Sequence, residues 1–341
     1  MEVVAGLSLK NLRPRVWDPQ SREQVPALRA VMLSFDELRR RPELCLKAKE
    51  SGLHSVLGLS GDSGPPGTRL RLFLDNGAFA CLRRGDEPAT EEFVAFVREV
   101  RPDWYPVPAD YIPLPSFSRQ RQKRLFEKTV TVLDTHSNDG FCPVIHPGPW
   151  LGGYLAAISR LKQTRQLAIG GLVPHLLNSP GAQRRETIKM LCRVRREFSG
   201  KIHAFGIGGI VTLHLAAAIG IDSVDSSGWR QRAARGLILL RGRGERQAVK
   251  LGTWKGRKLS RDEWSELDGC RCPSCRRRES GGLRDHGVEG FAHRAVHNLY
   301  VLLAEAILIN RHLTEGDFPA WTSGRLGSHP MSDLVKTAME I

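Results

Sequence analysis

The stretch that decides the fold is IHAFGIGGIVTLHLAAAIGIDSVDSS (202–227). A short apolar run over 202–208 is followed by a helix-like segment that ends at Gly220, a residue suited to a helix C-terminus. A second strand-like run follows over 221–227. The order strand, helix, strand places two strands parallel in one sheet. Gly208 and Asp225 fall at the C-terminal ends of these two strands, where parallel sheets carry their functional groups.

The same unit recurs along most of the chain, with helical patterns between the strands. The other predicted strands cover residues 29–35, 69–75, 103–110, 142–146 and 166–171. Six of the strands end in polar residues or glycines, namely Asp75, Asp110, His146, Gly170 with Gly171, Gly208 and Asp225. In a closed (β/α)8 barrel all strand ends meet on one face, whereas an open sheet offers one crevice. The pattern therefore predicts an α/β fold of the TIM-barrel type, with residues 1–228 forming most of the barrel and its active site.

Residues 229–341 have a different character and predict a basic zinc-binding appendage together with the closing helices of the barrel. The net charge of the chain is +15, and residues 230–278 hold 15 Lys and Arg against 5 Asp and Glu, a local excess of +10. Such a concentration suits the phosphate backbone of a nucleic acid. A solvated basic face is the alternative.

The sequence also predicts where the protein resides. It contains no run of about 18 apolar residues, and its first residues, MEVVAGLSLKNLRPRVW, lack the layout of a signal peptide. We expect a soluble, cytoplasmic protein without a membrane partner.

Three cysteines lie within six residues in the stretch GCRCPSCRRR (269–278). The C-x-C-x2-C spacing of Cys270, Cys272 and Cys275 lets a tight loop direct three sulfurs at one Zn²⁺ ion. His286, His293 and His297 follow, and spacing alone does not choose the fourth ligand among them. Four protein ligands leave no open position, so we expect a structural zinc site.

Several motifs resemble those of the tRNA-guanine transglycosylases, over residues 70–305. The cysteine cluster followed by His297-Asn298 resembles their zinc subdomain, LDNGAF (74–79) their D-S-G-G-F block, and LAIGGLV (167–173) their A-I-G-G-L-A-V loop. The segment 206–227 is similar to their G-V-G stretch followed by G-V-D-x-F-D. The resemblance implies a zinc-containing (β/α)8 barrel that exchanges guanine for a 7-deazaguanine, with His297 as the fourth zinc ligand.

Base exchange with retained configuration needs a nucleophile for the sugar and a second group for the proton of the base. Asp225 matches the family's nucleophile, although it or Asp222 could instead cap the next helix. Asp75 is the predicted acid/base and base-recognition residue, accompanied by Phe79. Asp110 is expected to accept hydrogen bonds from the base edge.

Smaller groups complete the predicted site. His146 stands where the family has a base-contacting glutamine, and either bonds a base carbonyl or caps a helix. Gly170, Gly171 and Gly208 are expected to bring backbone groups close to the base and the sugar. The last group, Trp229, Arg230 and Arg232, is suited to stack on or clamp the neighbours of a displaced nucleotide, with a solvated, partly packed loop as the alternative.

Departures from the family pattern favour its DNA-modifying branch. VIHPG (144–148) replaces V-Q-G-G, and DSSGWRQRAARG (225–236) lacks a P-T-R run. We therefore predict replacement of guanine by a 7-deazaguanine such as 7-cyano-7-deazaguanine in DNA, through a covalent aspartyl-sugar intermediate. Exchange in tRNA is the first alternative, and a non-catalytic zinc-stabilised nucleic-acid-binding subunit is the second. The expected partners are DNA, or alternatively tRNA, and the free 7-deazaguanine base; a companion protein or a homodimer is left open.

Overall fold

A computed structural model describes the chain except for residues 60–68, 138, 162–163, 254–255, 279, 328 and 330, and it describes residue 278 without its side chain. A parallel sheet of seven strands forms its centre, in the order β3-β2-β1-β7-β6-β5-β4. The strands are β1 (Glu2–Gly6), β2 (Ala30–Ser34), β3 (Arg71–Asp75), β4 (Val144–Ile145), β5 (Gln166–Ile169), β6 (Lys201–Ala204) and β7 (Ser223–Ser226).

The two outer strands of this sheet are joined through residues 104–107, which close the barrel. The Leu74 amide donates to the Trp104 carbonyl over 2.9 Å, and the Val107 amide donates to the Cys142 carbonyl over 2.9 Å. This segment takes the eighth strand position between β3 and β4. The predicted α/β barrel is thus confirmed, although the strand predicted over 103–110 is reduced to isolated bridges. Pro106 and Pro108 lack the amide hydrogens that a regular ladder requires.

Helices between the strands cover the outside of the barrel. They are α1 (Phe35–Arg39), α2 (Pro42–Ser51), α3 (Leu53–Val56), α4 (Ala78–Arg84), α5 (Thr90–Val100), α6 (Arg119–Thr135), α7 (Leu151–Ser159), a π-helical turn (Val173–Leu177), α8 (Gly181–Glu197) and α9 (Ile210–Ile219). In α5 the acidic Glu91 and Glu92 lie in the first turn and favour helix initiation there. Its buried residues recur at helical spacing and face the barrel.

The chain after β7 packs on the barrel. It contains α10 (Gly228–Ala234), the antiparallel hairpin of β8 (Leu237–Leu240) and β9 (Gly244–Gln247), α11 (Arg261–Asp268), α12 (Cys275–Arg278), a 3₁₀ turn (Ser280–Arg284), α13 (Gly287–Glu315), α14 (Phe318–Leu326) and α15 (Ser332–Glu340). The long helix α13 contacts α10, β8, β1 and α9, and α15 packs against α8 and α9. Both helices share one hydrophobic core with the barrel. The domain boundary at residue 228 stays a prediction.

Among the described helices, none has the length and apolar character that a membrane crossing requires. All eight strand positions of the barrel fall within residues 2–226.

Candidate active site and candidate metal centre

The C-terminal ends of the barrel strands open into a cavity of about 840 Å³. Seven of the eight barrel residues predicted for the site line it, namely Asp75, Phe79, Asp110, Gly170, Gly171, Gly208 and Asp225. Strands distant in sequence thus bring three carboxylates, one aromatic ring and three glycines to one surface. The remaining predicted residue, His146, lies behind the cavity wall.

Asp225 is the third residue of β7, and the loop after β6 holds its side chain. The Gly206 amide donates to Asp225 Oδ1 over 2.7 Å. Gly206 has φ +75°, a conformation that favours glycine. Among the described residues, no group donates to the second oxygen, Oδ2. One oxygen of the carboxylate is therefore fixed while the other is free to react.

Asp75 ends β3, and its Oδ2 accepts a hydrogen bond of 3.0 Å from the Gly77 amide. Burial, reinforced by the negative charges of Asp110 and Asp225, raises the pKa of Asp75 to about 7. A carboxyl with that pKa exists in both protonation states near neutral pH. Asp75 is therefore able both to donate and to accept a proton.

Asp110 accepts a side-chain hydrogen bond on one oxygen and has a histidine ring beside the other. Asn76 donates from Nδ2 to Asp110 Oδ1 over 2.8 Å, and His146 Nε2 lies 3.1 Å from Asp110 Oδ2. Asn76 is itself fixed, because it donates to the Val107 carbonyl and accepts from the Ala78 amide. Asp110 thus presents a rigid acceptor to the cavity.

The structure places His146 differently from the prediction. Its ring is fully buried beneath Gly170, where an added Cβ would lie 2.7 Å from His146 Cε1. The ring therefore supports Asp110 from behind, and it reaches neither the cavity nor a base within it. Gly170 is needed because a side chain there would displace this ring.

The other glycines of the site serve close packing. Gly171 has φ +70°, which few other residues adopt. A Cβ at Gly208 would lie 2.4 Å from the Cβ of Ser226, so glycine lets the loop after β6 approach β7. The Gly208 amide donates to the Asp225 carbonyl and is not free for a sugar.

Two of the three residues predicted to contact nucleic acid lie elsewhere than expected. Trp229 is fully buried on α10, which packs against α13. Arg230 is buried as well, and its guanidinium donates to the backbone carbonyls of Asn11 and Arg13. Both side chains therefore stabilise packing between α10 and its neighbours. Arg232 does line the cavity, and its Nε donates to Glu245 Oε2 over 2.7 Å.

The predicted metal ligands Cys270, Cys272, Cys275 and His297 form one cluster near the C-terminus, in which all four ligand atoms lie within 4.8 Å of one another. The sulfurs lie 3.5, 3.8 and 3.6 Å from His297 Nδ1, as they would around one tetrahedral ion. Such a cluster could hold a metal ion. His297, and neither His286 nor His293, belongs to it.

The surroundings of the cluster fit a metal site. His297 Nε2 lies 2.9 Å from the Leu239 carbonyl, which fixes the tautomer whose Nδ1 is free for a metal. The Cys275 amide donates to Cys272 Sγ over 3.2 Å. Apolar side chains of the hairpin, α11 and the 3₁₀ turn enclose the cluster, namely Ile238, Leu240, Leu267 and Leu283.

Comparison with known proteins identifies the family that shares this sequence. Residues 18–331 match the family described as queuine tRNA-ribosyltransferase. The chain belongs to this family.

The curated relatives of this family member include three archaeal proteins, each named tRNA-guanine(15) transglycosylase. The protein of Pyrococcus abyssi is 24% identical over 340 residues, which cover 97% of this chain and 53% of the relative. The protein of Methanosarcina mazei is 26% identical over 302 residues, covering 85% and 56%. That of Thermococcus kodakarensis is 25% identical over 301 residues, covering 85% and 47%. The chain thus spans about half the length of these relatives.

Several residues of this member of the queuine tRNA-ribosyltransferase family were not predicted for the site, among them Asn76, His203 and Phe205. Asn76 positions Asp110, His203 approaches Asp225 within 3.6 Å, and Phe205 lines the cavity. Asn76 follows Asp75 in the quoted stretch LDNGAF. Its amide in place of the serine of the D-S-G-G-F block was the one feature of the sequence that could have indicated its role. His203 and Phe205 lie in the quoted run IHAFGIG, but their neighbours across the barrel depend on strand register.

Proposed function

We propose that this protein is a guanine transglycosylase that exchanges guanine for a 7-deazaguanine in tRNA. The single observation that carries the proposal is the convergence of Asp75, Asp110 and Asp225 on one cavity, with one oxygen of Asp225 free and the pKa of Asp75 about 7. The family membership and the tRNA-guanine(15) transglycosylases among the relatives support the same reaction.

The three carboxylates divide the chemistry between them. Asp225 Oδ2 attacks the anomeric carbon of the sugar, and the N-glycosidic bond breaks as the carbon–oxygen bond forms. Asp75 in its protonated form supplies the proton that the departing guanine takes up. The entering base then gives its N–H proton to the Asp75 carboxylate, and its nitrogen displaces Asp225 from the sugar. Two displacements retain the configuration, as in retaining glycosidases.

Asp110 supports recognition of the base. A deprotonated carboxylate accepts hydrogen bonds, and Asn76 holds this one in place by donating to its Oδ1, while the His146 ring lies beside its Oδ2. Guanine offers two adjacent donors on its Watson–Crick edge, which suit such an acceptor. Phe79 has 45% of its surface exposed at the cavity wall and is available to cover the flat face of a base.

The choice of tRNA over DNA is supported by the names of the relatives, all three of which refer to tRNA. The DNA substrate predicted from the sequence has no support from these comparisons. One of the departures that favoured it, His146 in place of glutamine, lies behind the cavity wall and does not reach the substrate. Exchange in tRNA, the first alternative, is therefore the proposal.

A nucleic-acid substrate is supported by the mouth of the cavity. Arg83 and Arg235 are exposed and line it, and neither has an ion-pair partner in the part of the chain that the structure describes. Other arginines of the basic segment are engaged within the protein, such as Arg246 with Glu263 over 2.9 Å. Two cationic side chains at the mouth are thus available for a phosphate backbone.

We also propose that the cysteine-histidine cluster holds a structural Zn²⁺ ion, since three sulfurs and one imidazole nitrogen match the preferences of zinc. With four protein ligands the ion has no position for a substrate. It stabilises the fold around the hairpin and takes no part in the exchange.

The decisive experiment combines labelled bases with a trapped intermediate. Wild-type protein is incubated with tRNA or with DNA and a labelled 7-deazaguanine, and covalent adducts are sought on denaturing gels. We expect incorporation into tRNA, and an adduct that the shape-matched Asp225→Asn variant does not form although it still binds tRNA.

Three results would contradict parts of this proposal. Greater labelling of DNA than of tRNA would support the substrate predicted from the sequence, which is DNA. An adduct that persists in Asp225→Asn would assign the nucleophile to another carboxylate. Nucleic-acid binding without adduct or exchange in any variant would favour the non-catalytic subunit.

A further inference from the structure

The barrel interior beneath the cavity contains a histidine to which the proposed exchange assigns no role. His203 is the third residue of β6 and is buried. Its ring lies among those of Phe73, Trp104 and Phe205, with centroid distances of 5.9, 5.0 and 4.8 Å. A polar ring within an aromatic layer needs a partner for each nitrogen, because an unpaired buried nitrogen is costly.

Strand register brings both partners to this ring from β7. His203 is paired with Ser223 in the sheet, and its Nδ1 lies 2.9 Å from Ser223 Oγ. Asp225 lies two residues further along β7 and therefore faces the same side. Its Oδ1 lies 3.6 Å from His203 Nε2. Within the described part of the chain Nε2 makes no hydrogen bond, and Asp225 is the acceptor that lies near it.

This arrangement determines which oxygen of Asp225 can react. When the Ser223 hydroxyl donates to Nδ1, the ring carries its proton on Nε2 and directs it at Oδ1. Oδ1 already accepts the hydrogen bond from the Gly206 amide. The separation of 3.6 Å is longer than a formed hydrogen bond, and such contacts often tighten once a substrate fills an active site.

We propose that His203 is a positioning residue for Asp225, holding Oδ1 so that Oδ2 faces the anomeric carbon. This inference rests on the proposed function. His203 lies beneath the cavity and is absent from its lining, so it acts through Asp225 and does not contact the base. Its loss should therefore slow formation of the sugar adduct and leave the affinity for the free base unchanged.

Kinetics of two variants separate positioning from packing. His203→Phe keeps a ring in the aromatic layer but removes both nitrogens, whereas His203→Gln keeps an N–H donor near the position of Nε2. We expect His203→Phe to lower kcat for exchange about tenfold to a hundredfold, as for the loss of a hydrogen bond to a charged group. The KM for the entering base should stay unchanged, and His203→Gln should recover most of kcat.

His214→Gln is the matched control, because His214 is also buried and its Nε2 lies 3.0 Å from Glu305 Oε1, away from the cavity. We expect this variant to keep the wild-type kcat. Equal losses in His203→Phe and His203→Gln, or a change confined to KM, would overturn the proposal.

A spectroscopic test does not depend on activity. In protein labelled with ¹⁵N-histidine, the His203 signals are those missing from His203→Gln. We expect the Nε2–H tautomer and a shift of its signals in Asp225→Asn. An Nδ1–H tautomer, or His203 chemical shifts that do not change in Asp225→Asn, would overturn the positioning role even in an active protein. If the expected NMR signals are found but the protein exchanges no base, the proposed function is overturned while the His203–Asp225 contact stays supported.

Discussion

At the scale of single residues, the raised pKa of Asp75 predicts how the half-reactions depend on pH. In the proposed exchange, release of guanine requires the protonated form of Asp75, whose fraction falls as pH rises through about 7. In single-turnover experiments we expect guanine release to slow about tenfold per pH unit above that value. Entry of the new base requires the carboxylate and should lose rate below pH 7.

Asp75→Asn is the matching variant. It should lower both rates by roughly 10²- to 10⁴-fold, as losses of general acid–base catalysis do, and remove the inflection near pH 7. If wild-type guanine release instead accelerated through pH 7, Asp75 would act as a base in that step.

The same pKa shift predicts a stability difference. Between pH 3.8, the ordinary pKa of an aspartate, and about 7 the unfolded chain loses the Asp75 proton while the folded chain keeps it. The stability of the wild-type protein therefore falls over this range relative to Asp75→Asn. Scanning calorimetry should show Asp75→Asn with the higher Tm, by a margin that grows from about pH 4 to pH 7 and is constant above.

An exposed carboxyl of opposite behaviour provides the control. Arg84 holds the pKa of Asp86 below its ordinary value, so Asp86→Asn should lose a little stability at neutral pH and none at low pH. A margin for Asp75→Asn that shrinks with rising pH would show that Asp75 is not shielded from water as the structure indicates.

Sequence reasoning at this scale found residues that project from strand ends but not the contacts between strands. Asp75, Asp110 and Asp225 follow from apolar runs that end in carboxylates. The donor from Asn76 to Asp110 and the approach of His203 to Asp225 depend on which strands are neighbours and in what register. For His146, Trp229 and Arg230 the missing information was burial. The residues on either side of them in the sequence do not form an apolar pattern that would predict a buried position.

At the scale of elements, α13 connects the cysteine-histidine cluster to the barrel. Beside His297, the buried Asn298 accepts from the Leu239 amide over 2.7 Å and donates to the carbonyls of Trp229 and Leu237. Arg294, one turn earlier, donates to the Ala233 carbonyl. One helix thus holds α10, β8 and the cluster together.

We expect purified protein to contain about one zinc ion per chain. Cys272→Ser and His297→Ala should lose this zinc and a large part of their thermal stability, because the site closes the apolar shell around the hairpin. Cys192→Ser, which changes a buried cysteine of α8 outside the cluster, and His293→Ala should retain it. Metal analysis with thermal unfolding provides the measurement, and full zinc content in His297→Ala would refute the ligand assignment.

Elements with a strong pattern were predictable and those without one were not. Six of the predicted strands follow from apolar runs. β1, with the sequence EVVAG, was not predicted. The segment 104–107 occupies the predicted strand position in the barrel, but its prolines prevent a regular ladder of backbone hydrogen bonds.

At the scale of the whole molecule, the free arginines at the cavity mouth predict how binding responds to salt. Each phosphate contact contributes about one to the slope of log K against log salt concentration. Arg83→Gln and Arg235→Gln should each weaken tRNA binding and reduce that slope by about one. Arg98→Gln, on α5 and paired with Asp139 over 3.5 Å, is the control and should change neither. An unchanged slope in the first two variants would place the phosphate contacts elsewhere.

The hydrogen bond from His297 to the Leu239 carbonyl has a consequence for genetics. Leu237 and Leu239 line the cavity on one side of β8, and the metal ligands lie directly behind the same strand. Loss of a cysteine would therefore deform the cavity wall without touching the proposed substrate. A mutational screen scored by activity alone would rank Cys270, Cys272 and Cys275 beside the three aspartates, and only a parallel screen for protein abundance would distinguish the two groups.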